Sequence, residues 1–447
     1  MATVWFDVTT ILAWRRPPTG VVRVEAEVFK QLALQRRPDV KFCAYERATR
    51  QYLEHAAAEV LAVLVQNSTG KTTPGAPSAA KRFADGANQL LKRAPLPVYK
   101  QLAALKKRST PVLREALHQL RETNTSMKAL RHRVAGSPRE SAQGTTTIFQ
   151  NGDVLVSAGL DWDFKDLDVL YQLKRSIGFR VVSFCYDLIP VLLPHACRTE
   201  VADAFPRYFA DVAWCADTVL CISKSSQRDF EAFIQVIGAP KPRTGLVRLG
   251  STLEAPDVVG NVEHLVRGPF ILFVSTIERR KNHEVLYRAL VRLSEQARPL
   301  PTLVFAGMQG WGVDDLMNDV KRDPRVRSKV VLLNHVSDAE LAGLYQHARF
   351  TVFPSLYEGW GLPVAESLAH GRFCLSSNTS SLPEVGGDLV EYLDPWDVNG
   401  WAERISFYVE HPEAVTKREQ TIREGFSPTS WADTAKTVLE SALELQG

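Results

Sequence analysis

No stretch of the 447 residues approaches the roughly 20 consecutive apolar positions that a bilayer-spanning helix needs, which argues against a helical membrane protein. The chain opens on the strand-like run Thr3-Val4-Trp5-Phe6-Asp7-Val8, with no basic region and apolar segment ahead of it, so no secretory leader is expected. Cysteine is sparse: six residues (Cys43, Cys185, Cys197, Cys215, Cys221, Cys374), with no CxxC pair or other metal-like spacing. That excludes a zinc ribbon and favours free thiols in a reduced compartment over a disulfide framework. The expected location is the cytoplasm.

Charge of one sign is scarce overall but concentrated locally. The formal net charge is +4, yet Lys71–Thr145 holds 15 Lys and Arg against 4 Asp and Glu. That balance of +11 leaves −7 for the rest of the chain. The stretch opens with Thr-, Pro-, Gly- and Ser-rich sequence and continues with helix-like segments, Val112, Leu113, Leu117 and Leu120 forming an apolar stripe. Aromatic residues are nearly absent from it, which argues against nucleic acid, where bases need stacking partners. Two readings stay open. One is a basic amphipathic patch on an anionic membrane surface, placing the protein at the inner face of the cell membrane. The other is a solvated helical insertion.

What is present is most telling at Phe353-Pro354-Ser355-Leu356-Tyr357-Glu358-Gly359-Trp360-Gly361-Leu362-Pro363-Val364-Ala365-Glu366-Ser367. Phe350–Phe353 reads as a buried strand. Pro363 to His370 reads as a helix with proline in its first turn and Gly371 past its end. A strand, a glycine turn and a helix start make an anion site, because free N–H groups and the helix dipole converge there. Glu358 falls in the turn and Glu366 about one turn into the helix. A diphosphate between them would have a carboxylate on each side, one for a sugar ring and one for a ribose diol. Taken alone, two glutamates are more often solvated surface groups; the surrounding motifs reverse that.

Elsewhere apolar runs alternate with amphipathic helices, the signature of parallel α/β layers. Strands are expected at Val154–Ser157, Val181–Cys185, Thr218–Ile222, Phe270–Val274, Thr302–Ala306, Val330–Leu333 and Phe350–Phe353. Helices are expected at His283–Leu293 and Asp338–His347. The fold expected is α/β with two Rossmann-like parallel domains facing a cleft: 1–255, with a basic helical insertion over about 55–146; 256–425; and 426–447, a helix packing back across both.

Further motifs fall on the cleft edge of the second half. Ser275-Thr276-Ile277-Glu278-Arg279-Arg280-Lys281-Asn282 precedes a helix, where cations oppose the dipole by about 0.3–1 kcal/mol each, so a sequence that keeps them there gains by holding an anion. Arg280 supplies a planar fork and Lys281 a point charge. Gly307–Gly312 is a cleft loop. Asn334, His335 and Val336, ahead of a helix capped by Ser337 or Asp338, are candidates for edging a base. Asp161-Trp162-Asp163 has the form of a metal motif, but three residues are thin support and it is read as a turn or acceptor-side loop. No metal and no cofactor are expected.

The run from Phe270 to Asp397 resembles the nucleotide-sugar half of the retaining GT-B glycosyltransferases of family 4. Glu358 and Glu366 match that family's E-x7-E motif, Arg280-Lys281-Asn282 its Arg-Lys-Asn element, and Trp360-Gly361-Leu362-Pro363, Ser380–Gly386 and Asp394-Pro395 further elements in order. The resemblance implies that Arg280 and Lys281 neutralise the departing diphosphate, Glu366 binds the ribose and Glu358 a hydroxyl of the transferred sugar. Gly359, Trp360, Gly361 and Leu362 would give backbone N–H groups to sugar and phosphate. Thr19-Gly20-Val21-Val22-Arg23 looks like the N-terminal glycine loop, with Gly20 reaching the donor. Three departures stand out. Tyr186-Asp187 stands where relatives often carry His-Asp, leaving Asp187 in place, and the neighbouring His195 reads as a loop residue. Ser275 stands where glycine is usual, and the N-terminal loop has a single glycine.

The implied activity is transfer of a hexose or deoxyhexose from a nucleotide-diphosphate sugar, GDP-mannose-like, to a glycan acceptor. By analogy that acceptor is lipid-linked, in bacterial surface polysaccharide synthesis. The alternatives are a nucleotide-sugar epimerase on the same fold and a non-catalytic membrane-associated scaffold of a polysaccharide assembly. A phosphorylase is disfavoured for want of a pyridoxal-lysine motif.

Overall fold

The computed structural model describes residues 2–15, 18–68, 147–251, 260 and 262–446. The basic stretch Lys71–Thr145, with the membrane contact expected of it, lies outside the described residues. Residues 1–70 and 148–447 form one compact unit, built on two sheets.

The first sheet holds β1 (Val4–Asp7), β2 (Val40–Glu46), β3 (Gln51–His55), β4 (Val154–Ser157), β5 (Arg180–Cys185), β6 (Thr218–Cys221) and β7 (Arg243–Leu246), in the order β3-β2-β1-β4-β5-β6-β7. All neighbours are parallel except β2 and β3, which pair antiparallel. The second is wholly parallel: β8 (Phe270–Val274), β9 (Thr302–Ala306), β10 (Val330–Leu333), β11 (Phe350–Phe353), β12 (Cys374–Ser377) and β13 (Glu391–Leu393), ordered β10-β9-β8-β11-β12-β13. Strands β1, β4, β6, β11 and β12 are buried at every position, as helices covering both faces of a parallel sheet require.

Each sheet reverses direction once. In the second sheet the order runs from β8 outward through β9 to β10 on one side and through β11 to β13 on the other. Loops leaving the carboxyl ends of β8 and β11 therefore part around a crevice, where open α/β sheets hold ligands. The helix His283–Glu295 follows β8, and Leu362–Ala369 follows β11. The helix Asp338–His347 starts on a capping box in which Ser337 and Glu340 bond each other's backbone N–H. The last helix, Trp431–Leu443, buries Trp431, Ala435, Val438 and Ala442 in the core of the first sheet. Among the described residues no helix is long and apolar enough to cross a membrane.

Candidate active site

The turn after β11 is built to bring backbone close to a ligand. Gly361 caps the helix Leu362–Ala369 at φ 124°, a conformation open to glycine, and Pro363 sits in the first turn where its missing N–H is no loss. Ser381 ties the turn down by donating to the carbonyls of Glu358 and Trp360, and Ser380 accepts from the Glu358 N–H. Glu366 lies in the second turn of the helix, buried like Glu358.

Because β8 and β11 are neighbours, the turn after β8 meets this loop. Lys281 Nζ lies 2.5 Å from Glu358 Oε1 and Arg280 Nη1 2.9 Å from Oε2, with Ser355 donating to Oε1 at 2.6 Å. Arg280 also bonds Glu278 and the Tyr357 carbonyl, both at 2.7 Å. Asn282, in a left-handed conformation, donates to the carbonyls of Pro354 and Pro395 and so locks the two loops together. Burial alone would raise the Glu358 carboxyl, but Arg280 and Lys281 outweigh it and hold it at about 2. Lys281 moves down, from burial first and then from the charge of Arg280, although Glu358 pulls it the other way. Both cations are thus already paired with carboxylates, Lys281 with Glu358 and Arg280 with Glu358 and Glu278, so an incoming diphosphate would compete with those groups for them. Burial raises Glu278, with Arg280 opposing.

The first sheet contributes from the other side. Gly359 approaches so closely that a Cβ there would lie 2.2 Å from the Tyr186 carbonyl oxygen and 3.0 Å from Asp187 Cβ. Ser226 Oγ bonds both the Tyr186 and Gly359 carbonyls. Asp187 follows β5, its carboxylate accepting from the Ile189 N–H. Burial pushes it up, with Arg280 chief among the charges that draw it back. Gly20, at φ 55° and ψ −128°, opens the helix Val21–Gln35 after β1. One turn on, Arg23 Nη1 lies 3.1 Å from Glu366 Oε1, while the Tyr345 hydroxyl donates to Oε2 at 3.0 Å. Glu366 is raised by burial and drawn back by Arg23 and then Tyr345.

Residues 261–426 match the family described as glycosyl transferases group 1. This segment is a group 1 glycosyltransferase domain. Among curated proteins, the chain is 28% identical to the serotype-specific mannosyltransferase WbdA of Escherichia coli over 52% of its length and 30% of that protein. It is 38% identical to the O-antigen chain mannosyltransferase B of Escherichia coli over 30% of its length and 35% of that protein. These matches thus take in well under half of each relative. Among solved structures, sucrose-phosphate synthase from Thermosynechococcus elongatus superimposes with a TM-score of 0.60 at 16% identity, covering 100% of this chain and 99% of that one. Anabaena HepE in complex with UDP and glucose gives 0.58 at 12% identity, over 99% and 100%. The two facing sheets are the GT-B fold.

Of the expected site residues, the structure brings Arg280 and Lys281 onto Glu358 and sets Gly359 against Asp187, while Glu366 pairs with Arg23, three residues after Gly20. Trp360 and Leu362 turn instead toward the core of the first sheet, and the Trp360 indole N–H is buried without a hydrogen-bond partner. Asn334 and His335 are exposed after the edge strand β10, and Val336 packs with Val262, Val266 and Leu344. His195 is exposed in a short 3-10 turn. Gly307 packs so tightly on Ser275 that a Cβ there would lie 1.9 Å from the Ser275 carbonyl oxygen.

Asp163 is exposed, as in a surface turn, but Asp161 is not. Asp161 is buried, 2.7 Å from the ammonium of Lys165, which also lies 2.7 Å from Asp7. A lysine thus pairs with one of the two carboxylates that the metal motif would offer. Among the described residues no group of three or more His, Cys, Asp or Glu is placed to hold a metal. Two residues of the site carried no signal beyond proximity to a motif. Arg23 pairs with a glutamate 343 positions away. His283, buried between Phe273 and Phe305 behind Lys281, is held down at about 3 by burial and the lysine charge, hence neutral.

Proposed function

We propose that the protein is a retaining, metal-independent hexosyltransferase moving a hexose or deoxyhexose, GDP-mannose-like, to a glycan acceptor, lipid-linked, in bacterial surface polysaccharide synthesis. The observation that carries the reading is the cation pair Arg280 and Lys281 on Glu358, beside a glycine turn that opens a helix. The mannosyltransferase names of the two Escherichia coli relatives support the choice of sugar. The basic stretch Lys71–Thr145 would bring the enzyme to an anionic membrane surface, near such an acceptor.

In this reading the bond from the anomeric carbon to the β-phosphate oxygen breaks while the acceptor oxygen bonds to the same face, and the acceptor proton passes to the leaving phosphate. Arg280 and Lys281 stabilise the charge that develops there. The charges of Arg280 and Lys281 hold the Glu358 carboxyl low, which suits it to remain a carboxylate and not to serve as a general acid. With Lys281, Arg280 and Ser355 on its oxygens it is also a poor nucleophile, so it orients a sugar hydroxyl. Glu366 takes the ribose, and Asp187 faces the acceptor side.

Calorimetry with GDP, UDP and dTDP and their sugars, on wild type and Lys281→Ala, tests this. One nucleotide bound by wild type and weakened about tenfold or more in the variant supports the donor site. A folded wild type that binds none of them refutes it.

A further inference from the structure

We propose that a cavity at the carboxyl edge of the first sheet is a subsite for a neutral saccharide, a distal unit of the acceptor glycan. The word acceptor rests on the transferase reading; the saccharide site itself does not. The cavity, of about 550 Å³, lies between the β2–β3 turn, the loop after β4 and the helix Thr199–Cys215. That is within the range of small-ligand pockets and roomy for one or two sugar rings.

Its charges indicate the class of ligand. Four cations and five carboxylates line it, interspersed, so the wall presents no field of one sign to an anion or a cation. Instead it offers donors and acceptors side by side, which is what a hydroxyl, able to do both, needs at each position. Several are held only loosely. The Tyr45 hydroxyl has Arg50 beside it, which is itself paired with Asp166 at 3.0 Å. Arg207, exposed, forms only long ion pairs with Asp168 and Asp211, at 3.7 and 3.6 Å. Trp162, ringed by Phe205 at 5.0 Å and Tyr208 at 5.5 Å, supplies an apolar wall for the C–H face of a sugar. The floor, in contrast, is complete: Lys165 holds Asp161 and Asp7 and donates to Ser157.

The loop that lines the cavity is bonded to the residue before Asp187. The loop carrying Asp161 and Trp162 leaves β4 at Ala158, whose carbonyl accepts from the hydroxyl of Tyr186, the residue before Asp187. A glycan whose end lies at Asp187 would thus run along the same strand edge to reach it.

Saturation-transfer NMR on the full chain, with methyl α-D-mannopyranoside and methyl α-D-glucopyranoside as probes, tests the site. Wild type is expected to transfer saturation to one of these sugars. Arg207→Ala and Asp203→Asn, both at exposed side chains, are expected to lower the affinity about tenfold, as loss of a charged hydrogen bond does, with nucleotide affinity unchanged. A signal that persists in both variants, or no transfer from a wild type that binds nucleotide, overturns the proposal. Sugar binding that the variants abolish in a protein binding no nucleotide keeps the site and removes the transferase.

Discussion

Replacing Glu25 by Gln is expected to stabilise the protein, by an amount that grows with pH. Glu25 lies in the second turn of the helix Val21–Gln35, fully buried, with the Thr10 hydroxyl as its hydrogen-bonding neighbour. Burial raises its carboxyl from 4.5 to about 8; Lys165 offsets part of this, and Asp7 and Asp161 add to it. The folded protein therefore keeps a proton that the unfolded chain releases, and stability falls as pH rises from 4.5 toward 8. At about 1.4 kcal/mol per pH unit that interval amounts to about 5 kcal/mol. Glutamine keeps the shape and has no proton to lose. Urea unfolding of both proteins at pH 5, 6.5 and 8 should show curves that nearly coincide at pH 5 and diverge by several kcal/mol at pH 8. A difference that stays flat across that range would refute the reasoning, because it would mean that Glu25 titrates alike in both states.

Glu358→Gln should cut sugar transfer by about a hundredfold or more while nucleoside diphosphate binding holds or tightens, since Arg280 and Lys281 lose the carboxylate that competes for them. Equal losses of binding and turnover would show that Glu358 serves only to hold the fold. Gly359→Ala should destabilise the protein by about 1–3 kcal/mol and abolish activity, because the new methyl would overlap the Tyr186 carbonyl; an unchanged melting temperature argues against the close approach. Arg23→Ala leaves the buried Glu366 with Tyr345 alone and should cost about 1–3 kcal/mol by chemical denaturation, with Arg23→Lys recovering part.

Local chemistry made much of this legible. All seven strands read from apolar runs occur, within a residue at each end, and the helices after Asn282 and Ser337 also occur, the first running two residues beyond its expected end. The turn at Glu358–Gly361 and the helix to Ala369 follow from Gly361, Pro363 and Gly371, whose backbone preferences act over a few residues. Less was legible where neighbours in sequence say little. The edge strand β3 pairs antiparallel, short and partly exposed, and β13 is three half-buried residues. Asp161 looked like a turn residue because nothing in Asp161-Trp162-Asp163 announces that Lys165 and Asp7 close over it.

The sequence by itself determined which residues carry the chemistry: two glutamates eight apart, two cations before a helix, and glycines where the backbone must turn. Only the tertiary structure decided who meets whom. Lys281 touches Glu358 because β8 lies beside β11, a neighbourhood set by the reversal in strand order, and Arg23 meets Glu366 because the two sheets face each other. Periodicity and capping are properties of a few consecutive residues. The partner of a buried charge depends on which strands pack together, and that is settled by the whole core at once.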